Sequence, residues 1–250
     1  MQIVFLGVGE ACDQGLINTS LLVREGQVTL LLDCGFSVAP RVLDTLRGAD
    51  VLDAVWLSHF HGDHYFGLPQ LLLGLWQQGR SKPLHIVSRS GGRRRVLEVL
   101  GLAYPHLLEK LGFELLFQEV RQGQDLELLG LDWAFAETEH PEPNLALGLH
   151  SRGKSIYFSG DGQSSPEGTR LAHGCDLLIH EAYLLQDKIP GHSNVQECLE
   201  FAGKCAASRL AVVHIQMQER LHRSKDIAEA LESAKGIQAF MPEPGQELNI

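Results

Sequence analysis

Short apolar runs separated by turn residues recur in both halves of the chain, and helical spacing appears between them. The runs predict strands over residues 2–6, 20–24, 28–32, 51–57, 114–120, 126–129, 131–136, 145–149, 155–159, 177–180 and 210–214. Apolar positions at helical spacing predict helices over residues 66–77, 93–100, 105–111, 195–206 and 225–233. The polar residues 151–154 indicate a hairpin turn between two of the strands. Strand blocks in both halves with helices outside them predict an α+β fold.

The composition is typical of a globular protein, with 250 residues of which 44% are hydrophobic and 21% charged. No low-complexity linker divides the chain, so we expect a single domain over residues 1–250. The most hydrophobic stretch, residues 71–76, is far shorter than the about 20 residues that cross a membrane. The N-terminus also lacks the basic residues that precede the apolar core of a signal peptide. We therefore expect no membrane contact.

Cysteine content and charge narrow the class of protein further. Five cysteines, an odd number without a CxxC pair, are typical of free thiols in a reducing compartment, which predicts a cytoplasmic protein. The net charge of −10 argues against a broad nucleic-acid-binding surface. A small anionic substrate remains compatible with this charge, because bound cations would reverse the local field.

The run HFHGDH at residues 59–64 places three imidazoles and a carboxylate directly after a predicted strand. Imidazole nitrogen and carboxylate oxygen are the usual ligands of zinc and similar divalent metals. These side chains do not share one helical face, so a turn must gather them, and Gly62 gives that turn its freedom. The run therefore predicts a metal site at the end of a strand.

Three further candidate ligands follow later strands, namely His140, Asp161 and His214. Together with the four from residues 59–64 they make seven, the number that two adjacent ions need when they share a carboxylate and a hydroxide. The sequence therefore predicts a dinuclear metal centre.

Residues 57–64, followed by residues 66–69, closely resemble the metallo-β-lactamase superfamily and, within it, the ribonuclease Z branch. Further matching segments are residues 32–35, 158–161, 180–182, 191–193 and 213–215. The motifs thus run from about residue 5 to residue 215, which is nearly the whole chain. The resemblance implies a four-layer αββα sandwich with two divalent ions at one edge, between the two sheets.

The resemblance also implies a role for each site residue. The implied ligands are His59, His61 and His140 for the first ion, Asp63, His64 and His214 for the second, and Asp161 bridging the two. Zinc is the expected metal, with manganese or iron as alternatives. Asp33 matches an aspartate that supports the metal loop. Glu181 and His192 match a pair in which the glutamate orients the histidine, which protonates or stabilises the leaving oxygen; with Asp63 they are the expected catalytic residues.

The implied activity is that of a phosphodiesterase, in which metal-bound hydroxide attacks a small or cyclic phosphodiester or an RNA 3′ end. In short bacterial members of the branch, a flexible arm that grips transfer RNA lies between the counterparts of His140 and Asp161. Here the twenty residues 141–160 are used by a predicted hairpin, so no arm fits. Asn194 also stands where the branch has threonine. Both departures favour a cyclic nucleotide or cyclic sugar phosphate over transfer RNA.

Several alternatives stay open. The centre could belong to a lactonase, a β-lactamase-like or a sulfatase-like hydrolase of the same superfamily, which would have less need of the Glu181–His192 pair, or to a metal-loaded scaffold protein. The run Arg93, Arg94 and Arg95 could bind phosphate, although a solvated helix start is the favoured interpretation. A homodimer is compatible with the sequence. The remaining histidines, expected to be structural, are His85, His106, His150, His173 and His222.

Overall fold

The computed structural model describes residues 1–250, which form fourteen strands and eight helices. The strands are β1 Gln2–Gly7, β2 Ser20–Glu25, β3 Val28–Leu32, β4 Ala54–Leu57, β5 Leu84–Arg89, β6 Leu115–Val120, β7 Asp125–Leu128, β8 Leu131–Glu137, β9 Leu145–Ser151, β10 Lys154–Phe158, β11 Leu177–Glu181, β12 Arg209–Val213, β13 Gln238–Phe240 and β14 Glu247–Asn249. The helices are α1 Ala39–Thr45, α2 Gly62–Tyr65, α3 Leu68–Gln77, α4 Gly92–Ala103, α5 Leu107–Lys110, α6 Pro166–Leu171, α7 Val195–Cys205 and α8 Met217–Glu232.

The strands build two seven-stranded sheets, in the orders β14-β1-β2-β3-β4-β5-β6 and β13-β12-β11-β10-β9-β8-β7. Their inner faces pack on each other in one apolar core, where the Trp56 ring stacks on Phe135 at 5.2 Å between centroids. A second core lies between the first sheet and α1, α3 and α4. A third lies between the second sheet and α7 and α8. The layers are therefore α, β, β and α, which confirms the predicted sandwich.

Side-chain alternation along β3 shows how the sequence produces two cores from one strand. Leu30 and Leu32 point into the core between the sheets, while Leu31 points into the core beneath the helices. All three are fully buried, because successive side chains of a strand face opposite sides and both sides of this sheet are covered. A continuous leucine run, without polar alternation, is the expected pattern for such a strand.

The C-terminal ends of the parallel strands form the edge of the sheets at which the candidate site lies. In the first sheet β3, β4, β5 and β6 run parallel, and in the second sheet β10, β11, β12 and β13 run parallel. The segments that follow β3 and β4 and those that follow β10, β11 and β12 therefore leave their sheets at common ends. They carry most of the predicted site residues.

The structure adds elements that the hydrophobic pattern does not predict. These are β5, β13, β14, α1, α2 and α6. Helix α8 also starts eight residues earlier than residue 225, at Met217, and contains a kink at Arg223. The predicted turn is present, with Arg152 and Gly153 both at positive φ, as a two-residue hairpin turn requires.

The structure also bears on the membrane, the cysteines and Asn194. No helix combines the length and apolarity that crossing a bilayer requires. The five thiols are free, and all but Cys12 are buried. Asn194 is the N-cap of α7, where its side chain accepts from the Glu197 backbone and completes a capping box, so its role here is structural.

Candidate metal centre

The metal loop, residues 58–64, follows β4 and is held in place by Asp33 at the end of β3. One Asp33 carboxylate oxygen accepts the Ser58 backbone N–H at 2.8 Å, and the other accepts the Ser58 hydroxyl at 2.7 Å. The second oxygen also accepts the Nδ1–H of His64 at 2.7 Å. Asp33 is fully buried and has a left-handed φ of 59°. The expected supporting role of Asp33 thus has a direct geometric basis in this loop.

Close backbone approach sets the path of the same loop on its other side. The Cys34 N–H donates to the His64 carbonyl at 2.7 Å. A Cβ atom on Gly35 would lie 1.9 Å from the Asp63 carbonyl oxygen, so only glycine fits at this position. The loop then enters α2 at Gly62 with His61 as its N-cap, and this turn gathers the four side chains.

The second half of the centre is organised by Asn144, a buried residue that the sequence analysis does not identify. Its amide nitrogen donates to the Ser159 carbonyl and to the Thr138 hydroxyl, each at 2.8 Å. Its amide oxygen accepts the Asp161 N–H at 3.3 Å, and the Thr138 hydroxyl donates to the Asp161 carbonyl at 2.6 Å. Asn144 therefore ties the turn that carries Asp161 to the end of β8.

All seven predicted ligands converge at the sheet edge in two groups that share one residue. The ligand atoms of each group lie within 4.8 Å of one another; the groups are His59, His61, His140 and Asp161, and Asp63, His64, Asp161 and His214. Asp161 lies centrally, with carboxylate oxygens 3.8 Å from His59 Nε2, 3.3 Å from His64 Nε2 and 3.6 Å from His214 Nε2. This is the arrangement expected of a bridging carboxylate.

The imidazoles are oriented so that the same nitrogen faces the centre in at least three of them. Each uses Nδ1 elsewhere: His64 on Asp33, His140 on the Glu142 carbonyl at 2.7 Å, and His59 on the Ser58 hydroxyl at 3.1 Å. Because the Ser58 hydroxyl already donates to Asp33, it accepts from His59. In the neutral form of each ring the hydrogen is therefore on Nδ1 and Nε2 is free of hydrogen, which is the form that binds a metal.

Buried polar atoms without partners test whether metal ions fit this set. His59 Nε2, His64 Nε2 and Asp161 Oδ1 are buried and make no hydrogen bond within the protein. Such atoms are costly unless a ligand satisfies them. Imidazole and carboxylate donors that face one another at 3–4 Å match the coordination chemistry of divalent ions. The residues therefore fit divalent metal binding.

The electrostatics of the metal-free protein agree with this conclusion. Burial and the neighbouring imidazoles hold the pKa of His59 well below its ordinary value, so His59 is neutral. Burial alone would lower the pKa of His214, but Asp161 and Asp63 raise it to about 9. The same two carboxylates raise the pKa of His64 against the effect of burial. Without metal, the negative charge of the site is thus balanced by protons on His64 and His214, which metal ions would displace.

Glu181 and His192 lie beside the second ligand group. Glu181 Oε1 is 3.3 Å from His192 Nδ1 and accepts the backbone N–H groups of Gly162 and Ser193, at 3.0 and 2.9 Å. Glu181 is fully buried, whereas 21% of the His192 side chain is exposed. Burial alone would lower the pKa of His192, but the Glu181 carboxylate raises it above its ordinary value. An accessible, readily protonated imidazole therefore faces the centre.

The other candidates lie apart from this constellation. None of the five remaining histidines belongs to a group that could hold a metal. Arg93 and Arg94 are exposed, as expected of a solvated helix start, and Arg94 pairs with Glu98 at 3.8 Å. Arg95 differs, because it is half-buried with its guanidinium 5.6 Å from the centre of the Phe60 ring.

Comparison with known proteins relates this geometry to a family and a fold. A family model described as "Anti-Pycsar protein Apyc1" matches residues 1–232. A ribonuclease Z from Natronomonas pharaonis is 26% identical over 311 aligned positions, covering 100% of this chain and 98% of that protein. The metallo-β-lactamase fold protein YhfI from Bacillus subtilis has a TM-score of 0.82 at 21% identity, covering 99% of this chain and 98% of that one. The short form of human tRNase Z has a TM-score of 0.78 at 22% identity, with 100% and 99% covered.

Proposed function

This chain belongs to the family of the anti-Pycsar protein Apyc1, and from that premise we propose that it hydrolyses a small cyclic phosphodiester with two zinc ions. The prediction of the metallo-β-lactamase superfamily and its ribonuclease Z-like branch is confirmed. The predicted activity, that of a metal-dependent phosphodiesterase of this superfamily, is confirmed as well. The proposal adds the substrate class, the number and identity of the ions, and the roles of the residues. It includes the anti-Pycsar role that the family description names.

The observation that carries the proposal is the Glu181–His192 pair beside a centre in which two ligand groups share Asp161. A phosphodiester with an alkoxide leaving group needs both neutralisation of its phosphoryl oxygens and a proton for the departing oxygen. Strained or activated esters, such as lactones, have less need of the proton. The pair therefore favours a phosphodiester over the other hydrolysed bonds of the superfamily.

The ligands would be those of the two groups described above, with His59, His61 and His140 on one side and Asp63, His64 and His214 on the other. When bound, two divalent ions supply Lewis-acid polarisation of the phosphoryl group and lower the pKa of water. Asp33, Ser58 and Glu142 hold the imidazoles with Nε2 facing inward, so the ligand set is oriented before binding.

The protein's own proton chemistry centres on His192. The Glu181 carboxylate raises the pKa of His192, which favours the protonated imidazole, and the exposed edge of the ring can reach a bound substrate. His192 gives its proton to the leaving oxygen, and Glu181 stabilises the protonated ring through Nδ1. Asp63, 3.2 Å from both His64 Nε2 and His214 Nε2, is placed at the same reaction centre as a ligand.

The restriction to small substrates rests on the segment between His140 and Asp161. Strands β9 and β10 and their tight turn use most of this segment, and both strands pair within the second sheet. The residues outside the hairpin in this interval, 141–144 and 159–160, are too few for a protruding RNA-gripping arm. The proposal therefore includes poor processing of precursor transfer RNA.

The experiment is a panel assay of the zinc-loaded and manganese-loaded protein. The substrates are a nucleoside cyclic monophosphate, a cyclic sugar phosphate, bis(p-nitrophenyl) phosphate, a lactone and a precursor transfer RNA. We expect the highest kcat/KM on a cyclic phosphodiester. Efficient hydrolysis of the lactone without phosphodiester turnover, or accurate maturation of the precursor, would contradict the proposal.

The proton donor is tested with His192→Ala and a matched control, His173→Ala, which changes an exposed histidine outside the centre. His192→Ala should retain its metal and slow hydrolysis of the cyclic substrate by about 10²–10⁴-fold. It should slow bis(p-nitrophenyl) phosphate much less, because p-nitrophenolate leaves without a proton. Equal losses on both substrates would return His192 to substrate binding.

A further inference from the structure

Tyr183 lies two residues after Glu181, and its main chain is fixed at both polar groups. Its N–H donates to the Ser193 carbonyl at 2.8 Å, and its carbonyl accepts the Gln216 N–H at 2.9 Å. The residue therefore joins the segment that carries His192 to the segment that follows His214. The position of its backbone is set by both segments.

The Tyr183 ring packs against the face of the His192 imidazole. The two ring centroids are 4.9 Å apart with an interplanar angle of 28°. On another side the His140 ring meets His192 edge-on at 5.3 Å and 74°. The His214 ring lies beyond, 6.1 Å from His192 and 14° from parallel. His192 is thus enclosed by aromatic rings while part of it stays exposed.

Glu181 alone cannot fix the orientation of this imidazole. Oε1 lies 3.3 Å from Nδ1, but Nδ1 makes no well-aligned hydrogen bond within the protein, so this contact leaves the tilt of the ring undetermined. A ring stacked on the imidazole face removes this freedom, because rotation would bring the two rings into collision. Proton transfer depends on the direction in which the other ring nitrogen points.

We propose that Tyr183 is a positioning residue, whose stacked ring fixes the plane of the His192 imidazole for proton transfer to the leaving oxygen. The inference rests on the proposed function, since it assigns Tyr183 a task only where His192 is the proton donor. The phenol hydroxyl is not needed for this task. Phenylalanine at position 183 should therefore still position His192, whereas an aliphatic residue should not.

The test compares Tyr183→Leu and Tyr183→Phe, with Tyr104→Leu as the matched control, a half-buried tyrosine at the end of α4. Tyr183→Leu should lower kcat for a cyclic phosphodiester by about 10–100-fold, a part of the about 10²–10⁴-fold contribution of a general acid. KM and metal content should stay unchanged, and bis(p-nitrophenyl) phosphate should lose less than about threefold. Tyr183→Phe should recover most of the loss.

A double variant and proton NMR separate the possible failures. Tyr183→Leu should add nothing in the His192→Ala background, because the two residues act as one unit. The carbon-bound ring protons of His192 should be shifted upfield by the stacked ring in the wild type and in Tyr183→Phe, but not in Tyr183→Leu.

Additive losses, or equal losses on both leaving groups, would overturn the role of Tyr183 and leave the proposed function intact. If the loss in His192→Ala did not depend on the leaving group, His192 would not be the proton donor. The inference would fail with it, even if the NMR spectra show the stacked ring. Unshifted His192 protons in the wild type would refute the stacking directly, whatever substrate the protein hydrolyses.

Discussion

Asp33→Asn is the sharpest perturbation of the centre, because it changes one atom and removes no volume. The carboxylate accepts three hydrogen bonds on two oxygens: two from Ser58 and one from His64, all at 2.7–2.8 Å. Asparagine has one acceptor oxygen. If the amide oxygen faces His64, the NH2 group lies against the Ser58 N–H, and two donors meet in a fully buried site. If the amide oxygen faces the Ser58 N–H instead, the NH2 group donates to His64 Nδ1. The imidazole proton must then sit on Nε2, the atom needed for metal binding.

Either orientation is costly, and the two costs are measured separately. An unsatisfied buried donor costs about 1–3 kcal/mol of folding free energy, and the lost charge-assisted bonds increase that cost. A disturbed supporting partner typically weakens metal binding by about 10–100-fold, which corresponds to about 1.4–2.7 kcal/mol. We therefore expect a clear rise in the zinc dissociation constant and a lower midpoint of urea unfolding for the metal-free protein.

The assay is competition for zinc against a chromophoric chelator at neutral pH, with Asp53→Asn as the matched control. Asp53 lies just before β4, at the opposite end of the strand from the metal loop, and its carboxylate accepts the Thr29 N–H at 2.9 Å. The control has the same chemical change and should keep its zinc affinity within about twofold, since its partners do not touch a ligand. A correctly folded Asp33→Asn protein with wild-type zinc affinity would refute the reasoning.

The remaining predictions concern Asp161 as the proposed shared ligand, its support by Asn144, and the titration of His214 in chelator-treated protein. Asp161→Ala should lose both ions in elemental analysis, because both ligand groups share this carboxylate; retention of one ion at full occupancy would contradict it. Asn144→Ala leaves the Ser159 carbonyl and the Asp161 N–H without partners and should lower the free energy of unfolding by about 3 kcal/mol in urea titration. His214 has its pKa raised to about 9 in the folded metal-free protein. Its stabilising contribution, up to about 3 kcal/mol, is therefore complete below about pH 6.5 and is lost as the pH rises through 9, in chelator-treated protein only.

Much of this fold could be predicted from sequence because its strands are continuously apolar. The strand β3 is predicted to the residue, and β2 to within one residue, since both faces of the first sheet are buried. The strand β5 escapes prediction because His85, Ser88 and Arg89 interrupt its apolar run. It is a strand because β4 and β6 pair with it on both sides, which is tertiary information.

The centre divides along the same line. The seven candidate ligands can be predicted from residue type and from their position after strands, and the structure brings all seven together. Asn144 and Tyr183 could not be predicted in this way. Each acts through contacts with residues distant in sequence, and a lone asparagine or tyrosine carries no spacing pattern. The left-handed backbone of Asp33 and His214, with φ of 59° and 62°, is likewise invisible in the residue types.

The two ligand groups each draw on both sheets: residues 59–64 follow a strand of the first sheet, whereas His140, Asp161 and His214 follow strands of the second. An ion bound by either group is therefore a crosslink between the sheets. A ligand that binds only the folded state adds about 2.7 kcal/mol of stability at a hundredfold excess over its dissociation constant. In a cell short of metal the sheets would part more often and expose their shared apolar core to proteases. The lifetime of the protein, and not only its activity, would then follow the metal supply.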